Sequence, residues 1–218
     1  VRIRPGSVHL DGEYLFVEEQ DNRWNAIGRD DLHLGWSYAG FGGPLRGAPT
    51  LSSISFLGMT ETLLHQVNLE YGHNEGGNVH FDLAPSAGFV ATAGTAYVPC
   101  WGGASGERTL RTLNLVTGLE GWGWRTPGDI RGSLAIGGVP PRQSVYFATD
   151  GGEVYALPAA AADGPAPDPL WVQKTHDGVT ADLVVSGENL FVASEDGFLY
   201  CMDRITGGVR WAAPHQTP

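Results

Sequence analysis

The sequence predicts an all-β protein made of about five four-stranded antiparallel sheets. Three observations carry this expectation: an eleven-residue pattern that recurs along the chain, short runs of β-branched and aromatic residues between turns, and a high density of turn formers. Of 218 residues, 32 are Gly and 14 are Pro, close to twice the usual share, which leaves little room for long helices. Hydrophobic residues make up 42%, aromatics 10% and charged residues 17%, so the chain can bury a core and does not read as disordered.

The recurrence is clearest near the end, in Cys201-Met202-Asp203-Arg204-Ile205-Thr206-Gly207-Gly208-Val209-Arg210-Trp211. The same frame fits Thr112 to Trp122 and Ala26 to Trp36, and a further copy runs from Ala156 to Trp171 with an Ala/Pro-rich insertion at 159–167. The gap between Trp36 and Trp122 requires a degenerate copy, and Tyr71 to Phe81 fits it with Phe81 in place of Trp. The anchors Trp36, Phe81, Trp122, Trp171 and Trp211 are then spaced by 45, 41, 49 and 40 residues. They place one domain over 1–218, with repeats at approximately 6–40, 41–84, 85–127, 128–176 and 177–214.

Within a repeat the order is apolar run, Gly turn, aromatic run, Asp-Gly turn, aromatic run, Gly and Trp. In the fourth repeat this order runs from about Ala135 to Trp171, with the turns at Gly137-Gly138 and Asp150-Gly151. In the fifth, Leu183-Val184-Val185, Asn189 to Ala193 and Phe198 to Cys201 are the strands, separated by Ser186-Gly187 and Asp196-Gly197. Such dipeptides supply the positive φ of tight hairpins. In the second repeat, Met59, Leu63, Val67 and Tyr71 recur every four residues, which would suit a helix over 60–71; the repeat register favours strands there. Four strands in about 43 residues form a sheet that cannot bury both faces alone, and radial stacking into a β-propeller solves that problem. An incomplete or atypical propeller, completed by another chain, stays open as an alternative.

At these residues the chain resembles the propeller repeats of the pyrroloquinoline-quinone dehydrogenase-like superfamily, whose blades carry Ala-x-Asp-x-x-Thr-Gly-x-x-x-Trp. Asp203, Thr206, Gly207 and Trp211 match, as do Thr117, Gly118 and Trp122, while Cys201 and Asn114 depart from the pattern. The resemblance implies that the Trp anchors, Gly118 and Gly207 are structural. Gly207 permits a turn that a β-carbon would strain, Asp203 and Thr206 bond its backbone, and the Trp packs on the neighbouring blade. The quinone enzymes of the superfamily resemble eight-bladed proteins with a vicinal disulfide and a calcium site, whereas Cys100 and Cys201 lie 101 residues apart and no calcium ligands align.

No catalytic, cofactor-binding or metal-binding residue emerges. The seven His form no zinc spacing, the serines at 52, 53 and 55 sit in no nucleophile elbow, and the Gly pairs read as turns. Glu70, His73 and His80 could meet across a hairpin, but surface positions explain them as well. The acidic pairs Glu18-Glu19 and Asp30-Asp31 read as solvated hairpin positions, with rim calcium as their alternative use. A net charge of −11 argues against nucleic-acid partners, and the sequence offers no transmembrane segment of its own. The two cysteines read as buried free thiols.

Two features suggest contacts with other proteins. Trp24 and Trp101 lie off the anchor frame, Trp101 in a glycine-rich loop, and Arg2 and Arg4 form a small basic arm on an acidic chain. The expected function is a non-catalytic scaffold, a membrane-extrinsic or periplasmic subunit bound to other protein subunits of a membrane complex. Non-enzymatic members of the resembling superfamily include the scaffold lipoprotein of the outer-membrane β-barrel assembly machine. The alternative is a quinone-dependent or other enzyme, or a ligand-binding propeller, with its site in the central channel. The start without Met suggests a processed N-terminus and a place in the cell envelope.

Overall fold

A computed structural model describes residues 3–11, 13–40, 45, 50–51, 55–60, 63–68, 70, 72, 79–80, 85–92, 94–102 and 109–214, with side chains left aside at 3–11, 50–51, 55 and 79–80. These residues contain no helix. They form twenty strands in five four-stranded antiparallel sheets, each made of four consecutive strands. This is the β-propeller blade architecture.

Blade one is β1 (Ile3–Asp11), β2 (Tyr14–Glu19), β3 (Trp24–Gly28) and β4 (Leu34–Tyr38); blade two is β5 (Thr50–Leu51), β6 (Ser55–Met59), β7 (Leu63–Asn68) and β8 (Val79–His80). Blade three is β9 (Val90–Ala91), β10 (Thr95–Pro99), β11 (Leu110–Asn114) and β12 (Glu120–Trp124). Blade four is β13 (Ala135–Gly137), β14 (Ser144–Ala148), β15 (Glu153–Pro158) and β16 (Trp171–Lys174). Blade five is β17 (Val184–Ser186), β18 (Asn189–Ala193), β19 (Phe198–Asp203) and β20 (Val209–Pro214). Two compact units hold them, Val1–Asp82 with blades one and two, and Leu83–Pro218 with blades three to five.

The four-residue spacing around 60–71 belongs to a hairpin. β6 pairs with β7 from Ser55↔Asn68 to Met59↔Leu64, and the Thr60 amide and hydroxyl close the turn on the Leu63 carbonyl at 2.9 and 3.2 Å. Phe56, Leu57, Met59, Leu64 and Val67 are all at most 1% exposed. A strand buried on both faces shows no alternation, and short apolar runs mimic either period.

In the first unit, the Phe56 ring lies 4.9 Å from Phe16, 5.4 Å from Trp24 and 5.8 Å from Trp36, joining blade two to blade one. In the second unit two apolar layers alternate with the blades. Val145 and Phe147 of β14 pack with Tyr97, Leu110 and Trp122 of blade three. Tyr146 and Ala148, on the other face of the same strand, pack with Leu190, Val192 and Met202 of blade five. Every residue of β14 is therefore buried, as expected for a strand with a blade on each side.

Candidate interaction surfaces

The turn between the third and fourth strands recurs in detail. In blade five, Asp203 Oδ1 accepts the Ile205 and Thr206 amides at 3.0 and 2.9 Å, and the Gly207 amide returns to the Asp203 carbonyl at 2.8 Å. In blade three, Asn114 Oδ1 accepts the Val116 and Thr117 amides at 2.8 and 3.0 Å, and the Gly118 amide returns to the Asn114 carbonyl at 2.9 Å. Gly207 and Gly118 have φ of +75° and +70°, the left-handed region where a β-carbon is penalised. The Arg210 guanidinium, followed by the Thr206 amide, holds the Asp203 carboxyl well below the usual carboxylate range.

Blade two makes this turn at Asn68 to Gly72, where the Gly72 amide bonds the Asn68 carbonyl at 2.9 Å and φ is +65°. The frame over Tyr71 to Phe81 placed that glycine at Gly77, five residues too late. The signal was present as Asn68-x-x-Tyr71-Gly72, with Tyr for Thr. Phe81 itself lies outside the described residues. Blade one uses Leu32 at φ +56° in place of glycine, and Asp31 Oδ1 accepts the His33 amide at 3.0 Å.

Trp36, Trp122 and Trp171 each dock on the following blade. Trp36 is 6% exposed and fills the space a Cβ on Gly72 would need. Trp171 covers Gly207, where an added Cβ would lie 2.7 Å from the indole, and its Nε1 donates to the Arg204 carbonyl at 3.1 Å. Tyr146 donates its hydroxyl to the same carbonyl at 3.1 Å. Blade three repeats the arrangement on the Ala/Pro-rich insertion of blade four: Trp122 Nε1 donates to the Ala161 carbonyl at 3.0 Å and Tyr97 to the Ala160 carbonyl at 2.6 Å. The insertion thus replaces the missing turn with carbonyls of its own. Sequence reasoning missed the Tyr donors, which sit opposite Trp122 and Trp171 across the sheet.

Trp211 departs from its neighbours. It carries the same register, Phe191↔Cys201↔Trp211, yet it is 45% exposed while Trp122 is 8% exposed. Among the described residues its ring contact is with Phe191 of its own blade, 6.1 Å between centroids, and not the expected one with a neighbouring blade.

The predicted contact residues divide. Trp24 is only 2% exposed and packs on Phe56, so it cannot serve as a surface contact; its place at the start of β3, paired with Tyr38, points it into the core of the first unit. Trp101 is 41% exposed, with the Arg131 guanidinium 5.4 Å from its ring centroid, and Arg131 is itself held by Asp150 at 2.9 Å. Arg2 lies outside the described residues, and Arg4 lies within β1, whose Ile3 pairs with Glu19. The expectation of solvated acidic pairs fails at Glu18, which is 5% exposed because β2 turns it into the core, while Glu19 accepts the Asn25 amide group at 2.8 Å and Asp30 pairs with Arg29 at 3.0 Å.

Blades four and five also frame a cleft of about 540 Å³, lined in part by Val139, Pro141, Arg142, Leu170, Arg204 and Ile205. Its lining is largely apolar and includes Arg142 and Arg204, the latter bonded through Nε to the Gly187 carbonyl at 2.7 Å, a combination suited to a peptide segment with an acidic side chain. Cys100 and Cys201 are both buried free thiols, and burial pushes the Cys100 thiol up to about 12. No group of three or more His, Cys, Asp or Glu converges among the described residues.

The family described as outer membrane protein assembly factor BamB matches residues 5–213. The chain belongs to this family. It is thereby a member of the PQQ-like propeller superfamily. No curated protein sequence matches the chain. Among solved structures, BamB from Moraxella catarrhalis is similar with a TM-score of 0.72 at 14% identity, over 95% of this chain and 63% of that one. The β-propeller domain of Cps50 (Swd1) from Myceliophteria thermophila aligns with a TM-score of 0.73 at 11% identity, over 95% of this chain and 71% of that one. The computationally designed Ika8 protein gives 0.69 at 13% identity, over 97% and 62%. At these identities the likeness is one of fold. The chain spans less than two thirds of the length of the Moraxella BamB.

Proposed function

We propose that this chain is a non-catalytic interaction scaffold, a membrane-extrinsic subunit that stabilises a protein assembly of the outer membrane from the periplasmic side. The observation that carries the reading is the match to the BamB family across residues 5–213. It is supported by where the exposed apolar residues lie: Trp101 beside Arg131, and Val139, Leu170 and Ile205 around a cleft with two arginines. These are contact chemistries, an aromatic anchor and an apolar groove with arginines in its lining. Arg2 and Arg4 are candidate contacts of the same kind.

The test is native isolation from gently solubilised envelopes, followed by identification of the co-eluting proteins. An outer-membrane assembly component should co-elute in a stoichiometric complex. A free monomer that turns over a small molecule would sink the scaffold reading.

A further inference from the structure

The cleft between blades four and five is built around an arginine that the fold holds in place and leaves unpaired. Arg204 opens the β19–β20 turn, where its amide bonds the Glu188 carbonyl at 3.0 Å and its carbonyl accepts from both Tyr146 and Trp171. Its side chain is fixed as well. Nε donates to the Gly187 carbonyl at 2.7 Å. The stem and guanidinium run across Gly137 and Gly138, where added Cβ atoms would lie 3.5 Å from Cδ and 3.3 Å from Nη1. Among the described residues no carboxylate pairs with Arg204 or Arg142, whereas Arg111, Arg131, Lys174 and Arg210 of the same unit each have one. The cleft lining contains no Asp or Glu, on a chain of net charge −11.

The apolar walls are tied down in the same way. The Val139 carbonyl accepts the Arg142 amide at 2.8 Å, the Leu170 amide bonds the Ala156 carbonyl at 2.8 Å, and the Ile205 amide bonds Asp203 Oδ1 at 3.0 Å. All three side chains are exposed. We propose that this cleft binds a linear segment of a partner protein through one Glu or Asp side chain flanked by apolar residues. With Nε spent on Gly187, the two terminal nitrogens of Arg204 are the fork left for a carboxylate, and Arg142 adds a second charge from the facing turn. The flanking apolar side chains cover Val139, Leu170 and Ile205. A guanidinium ordered before binding gives up little further freedom when the carboxylate arrives. The inference rests on the scaffold reading and names the chemistry of one partner; it shares no residue with the contact of Trp101 and Arg131.

The experiment selects short random peptides, displayed on phage, against the immobilised full chain. The enriched sequence is then made with acetylated and amidated ends, so that only side chains carry charge, and titrated by fluorescence anisotropy. Enriched sequences should carry Glu or Asp beside an apolar residue. Replacing that acid by its amide should weaken binding by about tenfold or more, and Arg204→Gln should do the same. The two changes together should weaken it little further than either alone. Arg204→Lys, which keeps the charge but not the fork, should not restore it. If Arg204→Gln unfolds the chain, Arg142→Gln decides, with an expected loss of about threefold or more. Enriched sequences without an acid overturn the proposal, as do full additivity and binding that survives the arginine variants. Self-association of the chain that is lost on Arg204→Gln would assign the cleft to a second copy and overturn it as well. No peptide binding by a chain that still co-elutes with an assembly removes the cleft and keeps the scaffold. Peptide binding by a chain that isolates as a free monomer removes the scaffold and keeps the cleft.

Discussion

Trp171 lies over Gly207, its indole occupying the space that a β-carbon on that glycine would take. The contact joins two features that are 36 residues apart in sequence and belong to successive blades. It explains why a turn glycine and a strand-end tryptophan recur in the same frame: the glycine serves its own turn by its φ of +75° and the preceding blade by its lack of a side chain.

Gly207→Ala should therefore be more costly than a left-handed turn alone requires. The backbone penalty is about 1–2 kcal/mol, and overpacking against Trp171 adds about 1–3 kcal/mol. Gly187, at φ +58° with nothing within 4 Å of an added Cβ, is the matched control, and Gly187→Ala should show only the backbone part. Urea denaturation of the two variants checks the difference; equal midpoints would separate Gly207 from the docking role.

Trp122→Ala should destabilise the chain by about 3–5 kcal/mol, as for truncation of a buried aromatic, since Trp122 is 8% exposed and donates to Ala161. Trp211→Ala should cost less than half of that, about 1–2 kcal/mol, since Trp211 is 45% exposed. Thermal or urea unfolding of both variants decides it, and equal losses would show that Trp211 is packed in solution.

The anchor spacing made the blades legible because one turn chemistry repeats. Asp203 and Asn114 bond the same amides, so a pattern of side chains recorded a pattern of hydrogen bonds. Blade two was misframed where Tyr71 replaces Thr and the residues after Gly72 depart from the motif. Trp24 was misassigned because an aromatic outside the frame reads alike whether it faces core or solvent; only Phe56, on another blade, settles it. The docking carbonyls of Arg204 and Ala161 had no signal at all, since any residue supplies a carbonyl and only the fold aims it.

Cys100 gives the chain an alkaline limit. Burial raises its thiol from the ordinary 9.0 to about 12, so the folded chain keeps a proton that the unfolded chain releases. Its contribution to stability is intact below pH about 9 and is lost as pH rises from about 9 toward 12, at about 1.4 kcal/mol per pH unit. Cys100→Ala should flatten the alkaline fall of the urea midpoint by that slope. In the native state near neutral pH neither cysteine should react with a thiol reagent, and both should react after unfolding.

Trp101 separates contact from packing. Its ring is 41% exposed and lies under the guanidinium of Arg131, a cation already paired with Asp150. A cation–π contact at an exposed site contributes about 0.5–1 kcal/mol, so Trp101→Ala should lower stability by no more than about 1 kcal/mol. Arg131→Gln removes the cation but leaves the ring, and should change stability by a similar small amount. If Trp101 anchors a partner protein, its removal should weaken the isolated complex by about 2 kcal/mol or more, about thirtyfold in Kd, while the free chain keeps its unfolding midpoint. A complex that tolerates Trp101→Ala unchanged would exclude this loop from the interface and leave the cleft between Arg142 and Arg204 to carry it.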